Sequence, residues 1–124
     1  MGDRANIAVV QHDGSRVWLY THWDGYDLPE VLRAALDRGR DRWEDAAYLA
    51  RIIFCQMTKG QEMETTGFGI STRICDNERP VLVVDCERGM VTVERDGREP
   101  RVLREIGFAA WCDPATDIRW SVLR

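Results

Sequence analysis

Ala5-Asn6-Ile7-Ala8-Val9-Val10-Gln11, then His12-Asp13-Gly14-Ser15, then Arg16-Val17-Trp18-Leu19-Tyr20-Thr21-His22-Trp23, is the stretch that decides the fold. Two runs rich in β-branched and aromatic residues flank an Asp-Gly pair, the usual signal of a tight hairpin. The second run has two faces. Trp18, Tyr20 and His22 point one way, and Val17, Leu19, Thr21 and Trp23 the other. Neither face is polar, so the strand is either covered on both sides or offers one apolar face to a partner.

Downstream, the period changes from two to 3.6. Leu28, Val31, Leu32, Ala35 and Leu36 fall on one face of a helix. Asp27 and Glu30 stand where a capping box would start it, and Gly39 where it would stop. Asp41 and Glu44 predict the start of a second helix, with Trp43, Ala47, Ala50, Phe54 and Met57 as its main stripe and Gly60 as its end. Strands are then expected at 67–72, 81–86 and 90–94, and a short one at 101–106. Residues 107–112 fit a short helix, and Ile118–Leu123 fit either a last strand or a docking tail. The order ββααβββ plus a short C-terminal element predicts an α+β domain. In it, an antiparallel sheet of about five strands carries two helices on one face.

The 124 residues suit one globular domain spanning 1–124. Hydrophobic residues make up 44% and charged residues 31%, a composition that argues against disorder. The net charge of −4 lacks the basic excess that phosphate neutralisation demands, so nucleic acid is not the expected partner. Arg38, Arg40 and Arg42, like Arg98, Arg101 and Arg104, are interleaved with acids and read as salt-bridged surface. Lys59 is the one lysine among 17 basic residues, a skew that GC-rich coding produces without any functional cause. No run reaches the ~18–20 apolar residues of a membrane span, and Met1–Asn6 lack the pattern of a secretory signal. A cytoplasmic protein is expected. Cys55, Cys75, Cys86 and Cys112 match no zinc spacing and read as buried thiols.

The densest chemical cluster is His22-Trp23-Asp24-Gly25-Tyr26, where a strand runs into a helix N-terminus. A carboxylate beside an imidazole can orient it as a base or metal ligand, so His22 and Asp24 are candidates. A turn built on Asp24-Gly25 with His22 hydrogen-bonded to it explains the same residues. A second cluster holds Glu62, Glu64, Thr65, Thr66, Gly67 and Gly69. It lacks the pattern of a phosphate loop, and its glycines are better read as bare backbone on which Trp43 or another aromatic packs. Asp85 is a lone acid with no partner evident from the sequence. No nucleophile elbow and no Cys/His pair is marked, so the reading leans away from an enzyme and assigns no catalytic residue, cofactor or metal. Five tryptophans suit a binding surface, with some of Trp23, Tyr26, Trp111 and Trp120 expected to be left near the surface.

Leu19-Tyr20-Thr21-His22-Trp23-Asp24-Gly25-Tyr26 resembles a loose group of small bacteriophage and prophage proteins. Tyr48–Ile53, Thr66–Ser71 and Val83–Asp85 look like its other recurring segments, and the likeness spans roughly residues 5–95. The resemblance carries over no activity. It implies an accessory protein of a phage or mobile element in a host cytoplasm. The leading expectation is a non-enzymatic binding protein that inhibits a host protein or defence complex, with His22, Trp23, Asp24, Tyr26 and Glu64 as binding residues. A binder of a small nucleotide-like ligand, with a homodimer as one arrangement, is the alternative. A metal-dependent or His/Asp hydrolase using His22, Asp24 and Glu64 is the third.

Overall fold

The computed structural model describes residues 2–124. Six strands form one sheet: β1 (Ala5–Val10), β2 (Arg16–Thr21), β3 (Phe68–Ser71), β4 (Val81–Asp85), β5 (Met90–Arg95) and β6 (Arg101–Gly107). Their spatial order is β3-β2-β1-β4-β5-β6. The helices are α1 (Leu28–Arg38), α2 (Ala46–Met57), α3 (Phe108–Cys112) and α4 (Trp120–Leu123). The class is therefore α+β, as expected.

Two details of the expectation are corrected. The sheet has six strands, because Arg101–Gly107 pairs with β5, with one register shift at Val93/Glu94. It is also not purely antiparallel, because β1 and β4 run parallel, with Ile7 beside Leu82 and Val9 beside Val84. The cause lies in residues 72–80. These do not turn β3 back on itself. They cross the sheet face opposite the helices and deliver β4 to the far side of β1, in the same direction as β3.

Asn6 holds that crossing segment. It is fully buried, and both polar atoms of its side chain are hydrogen-bonded. Nδ2 donates to the Cys75 carbonyl, the Asp76 carbonyl and Asn77 Oδ1, while Oδ1 accepts from the Cys75 amide. A buried amide satisfied in this way stabilises one path of the chain over others.

The main core lies between the sheet and the helices. Ile7, Val9, Leu19, Leu82, Val84, Val91 and Val93 supply the sheet side. Leu28, Leu32, Leu36, Leu49 and Ile53 supply the helix side, and all are essentially buried. A smaller apolar patch on the opposite face joins Ala8, Val81 and Val83 with Trp18 and Ile74. Thus β2 is partly covered on its second face, by the crossing segment.

Helix starts depart from the sequence pattern. Asp27 makes no side-chain cap for α1. Arg40–Arg42 forms a single 3-10 turn, and α2 starts only at Ala46, where Asp45 accepts from the Tyr48 amide. Trp43 therefore lies before the helix rather than on its stripe. It still packs on the core, and its indole N–H donates to the Leu36 carbonyl at 2.8 Å. The C-terminal segment ends in the four-residue α4, with Trp120 and Leu123 buried, so it docks and does not add a strand. Arg33 ties this region down by donating to the carbonyls of Trp111, Asp113 and Thr116. Among the described residues no helix is long and apolar enough to cross a membrane.

Candidate functional site

The HWDGY turn is positioned by a residue that sequence reasoning passed over, Asp3. Its amide donates to the His22 carbonyl, and its own carbonyl accepts from the Gly25 amide. A β-carbon at Gly25 would strike Asp3, so the close approach requires glycine there. The Asp3 carboxylate then accepts from the Tyr26 amide at 2.8 Å and from Arg79 through two parallel bonds of 2.9 Å. Arg79 and the Tyr26 amide hold Asp3 below the usual carboxylate range, and Asp3 in turn raises Arg79.

Arg79 sits between two rings. Its guanidinium carbon is 5.8 Å from the Tyr26 centroid and 5.6 Å from that of Trp120, within cation–π reach. Trp120 is itself fixed, with its indole N–H on the Gly25 carbonyl at 2.9 Å. Two separated stretches, 3–26 and 79–120, therefore meet in one hydrogen-bonded unit. Only the first had a motif to announce it. Asp3, Arg79 and Trp120 carry no local signature, because their relation depends on the crossing segment.

A cleft of about 630 Å³ opens beside this unit. Tyr26, Asp27, Arg79, Arg119, Trp120 and Arg124 give it its chemistry. Tyr26 is 72% exposed. A neighbouring depression of about 500 Å³ shares Arg79 and Arg124 and adds Arg95 and Asp96. Arg119 is bound to Asp117 at 2.6 Å, an ion pair that lowers Asp117 to about 2.

Of the remaining predicted residues, His22 and Trp23 meet, while the side chains of Asp24 and Glu64 make no hydrogen bond to either. His22 Nδ1 lies 2.9 Å from the Tyr20 hydroxyl, and its ring meets Trp23 edge to face. Its paired carboxylate was expected to be Asp24, yet Asp24 has no side-chain hydrogen bond among the described residues. Burial, with Asp27 and Asp3 nearby, pushes Asp24 upward. The Asp24 amide donates to Thr21 Oγ1, which closes the turn. Trp23 is half-exposed and packs on Gly67, so the bare-backbone reading of that glycine holds with Trp23, not Trp43, as the aromatic. Glu64 is exposed, and Glu62 folds back onto the Gly60 amide. Among the described residues no three His, Cys, Asp or Glu side chains gather as metal ligands. Trp111 and Trp120 are buried, leaving Trp23 and Tyr26 as the exposed aromatics of the four.

Two further expectations change. Cys55 is exposed rather than buried, because α2 turns it away from the sheet, and Cys75 is half-buried. Asp85 does have company: its carboxylate accepts from the Arg88 amide. Comparison with protein-family models, with curated proteins and with solved structures finds no match to this chain.

Proposed function

We propose that this protein acts by stoichiometric binding rather than turnover, as a phage or mobile-element accessory protein that engages and inhibits a host protein. The supporting observation is Tyr26. It is an exposed aromatic on a cleft rim, backed by Arg79 and close to Arg119. Aromatic and arginine side chains dominate interface hot spots, and a ring held by a fixed backbone loses little freedom on binding. The accessory setting comes from the likeness of Leu19–Tyr26 to phage and prophage proteins. Trp23 contributes less in this reading, since its ring is partly spent on Gly67.

The test compares immobilised wild-type protein with Tyr26→Ala and with Tyr48→Ala, an exposed aromatic on α2. A host protein held by wild type and Tyr48→Ala but released by Tyr26→Ala, and binding one to one once purified, supports the reading. Equal retention by all three removes the Tyr26 face from the interface.

A second reading, the sequestering of a small nucleotide-like ligand, is favoured by the concavity of the same cleft. Its volume falls in the ~300–1,000 Å³ range of small-molecule sites. Ring and guanidinium groups there match a base and a phosphate. A nucleotide that binds the folded state raises the melting temperature, and a flat response across nucleotides at millimolar concentration counts against this reading.

A further inference from the structure

This inference rests on the small-ligand reading of the cleft and concerns the groups that would hold a ligand there. Arg79 is restrained before anything arrives. Asp3 occupies its Nε and Nη2, and the rings of Tyr26 and Trp120 flank it. A guanidinium carries five N–H donors, and Asp3 accepts two of them. Nη1 makes no hydrogen bond among the described residues, yet Arg79 lines both depressions. A donor that is fixed, charged and open to solvent is well suited to an incoming oxyanion, because little rotamer freedom is left to lose.

Charge decides which oxyanion. Asp3 cancels much of the Arg79 charge, Asp27 and Glu30 line the same cleft, and Glu78 and Asp96 line its neighbour. Arg119 is engaged by Asp117. Arg124, shared by the two depressions, and Arg95, in the second, form no ion pair among the described residues. The resulting field is modest. A single carboxylate would gain little there, whereas a group with two or more charges can reach several arginines at once.

We propose that the cleft is a phosphate subsite, in which Arg79 Nη1 donates to a phosphate oxygen of a nucleotide whose base rests on the exposed Tyr26 ring. Arg119 and Arg124 surround the phosphate, and the base gains stacking of the kind aromatic side chains give to any nucleobase.

The experiment titrates ADP, inorganic pyrophosphate and adenosine into the protein at low salt, with calorimetry and tryptophan fluorescence as readouts. ADP and pyrophosphate are expected to bind, and adenosine about tenfold more weakly than ADP, as loss of a charge-assisted bond implies. Arg79→Lys should weaken both phosphate ligands by about tenfold, since an ammonium lacks the planar fork that pairs two nitrogens with Asp3 and leaves a third for the phosphate. Arg119→Ala, at an exposed site, should weaken both by about threefold. Tyr26→Ala should weaken ADP more than pyrophosphate, since the base loses its platform while pyrophosphate loses only the ring that flanks Arg79. If Arg79→Lys fails to fold, Arg119→Ala decides alone. Saturable ADP binding that is equal in wild type and both arginine variants overturns the subsite and leaves the small-ligand reading standing. Pyrophosphate binding without any gain for ADP keeps the subsite and removes the nucleotide. Silence from both phosphate ligands overturns the subsite and the small-ligand reading together, and does not touch the host-protein reading.

Discussion

The ring of Trp23 occupies the space that a β-carbon on Gly67 would need. Gly67 has a φ of +99°, a left-handed backbone that side chains rarely adopt, so glycine is required twice over at this position. Gly67→Ala should therefore destabilise the protein by about 2 kcal/mol or more and shift the tryptophan emission. Gly69→Ala is the matched comparison, because its nearest side-chain neighbour, Tyr20, is 3.9 Å from the new methyl position. It should change stability by less than ~0.5 kcal/mol. Urea unfolding followed by fluorescence measures both.

Asn6→Leu should lower stability by about 1–3 kcal/mol, because it takes the amide away from the partly buried polar groups of residues 75–77. The loss should be local as well as global. Hydrogen exchange at the Cys75 amide, which donates to Asn6 Oδ1, should speed up more than exchange in β5. Uniform acceleration would refute a clasp role.

Asp24 and Asp3 make opposite contributions as pH changes. Burial raises Asp24 in the folded state, so its ionised form costs stability once pH rises through that folded value. Asp24→Asn should raise the melting temperature at pH 7, and the gain should vanish below the ordinary aspartate range. Asp3 is lowered by Arg79, so it stabilises above the ordinary aspartate range and loses that contribution as pH falls. Asp3→Ala should therefore destabilise at pH 7 and much less in acid. Melting curves of both variants from pH 3 to 8 check the signs, and parallel curves would contradict them.

Arg33→Ala should cost roughly 2–4 kcal/mol, from three carbonyls losing a charged donor. Lysine should restore little, because one ammonium cannot span the carbonyls of Trp111, Asp113 and Thr116. Early protease cleavage within 111–124 would be the accompanying sign.

The thiols should label in a fixed order. Cys55 is exposed and should react first with iodoacetamide. Cys86 is buried and its thiol is raised to about 11 by that burial, so it should react last in the native protein. Intact mass against time resolves the order.

The helices and hairpins were legible because each is announced by neighbours in sequence: Leu28 to Leu36 by period, and Asp13-Gly14 by turn chemistry. What could not be read has one physical origin. Residues 72–80 contain no periodic signal, yet their path sets β4 parallel to β1 and brings Arg79 to Asp3. The motif led to Tyr26, but of the partners that give Tyr26 its setting, Asp3 lies 23 positions away and Arg79 and Trp120 more than fifty. Trp43 misled for a smaller reason: its spacing fits the α2 stripe, while Asp45, two residues later, caps the helix.

The parallel seam between β1 and β4 also bears on how the chain folds. On one side lies the β1–β2 hairpin; on the other, the β4–β5–β6 meander. Each closes over short loops, while Ile7 must find Leu82 across most of the chain. Bringing distant segments together sets the pace of folding in small domains. The two sub-sheets should thus assemble early and join late, with Asn6 acting only after the seam has closed.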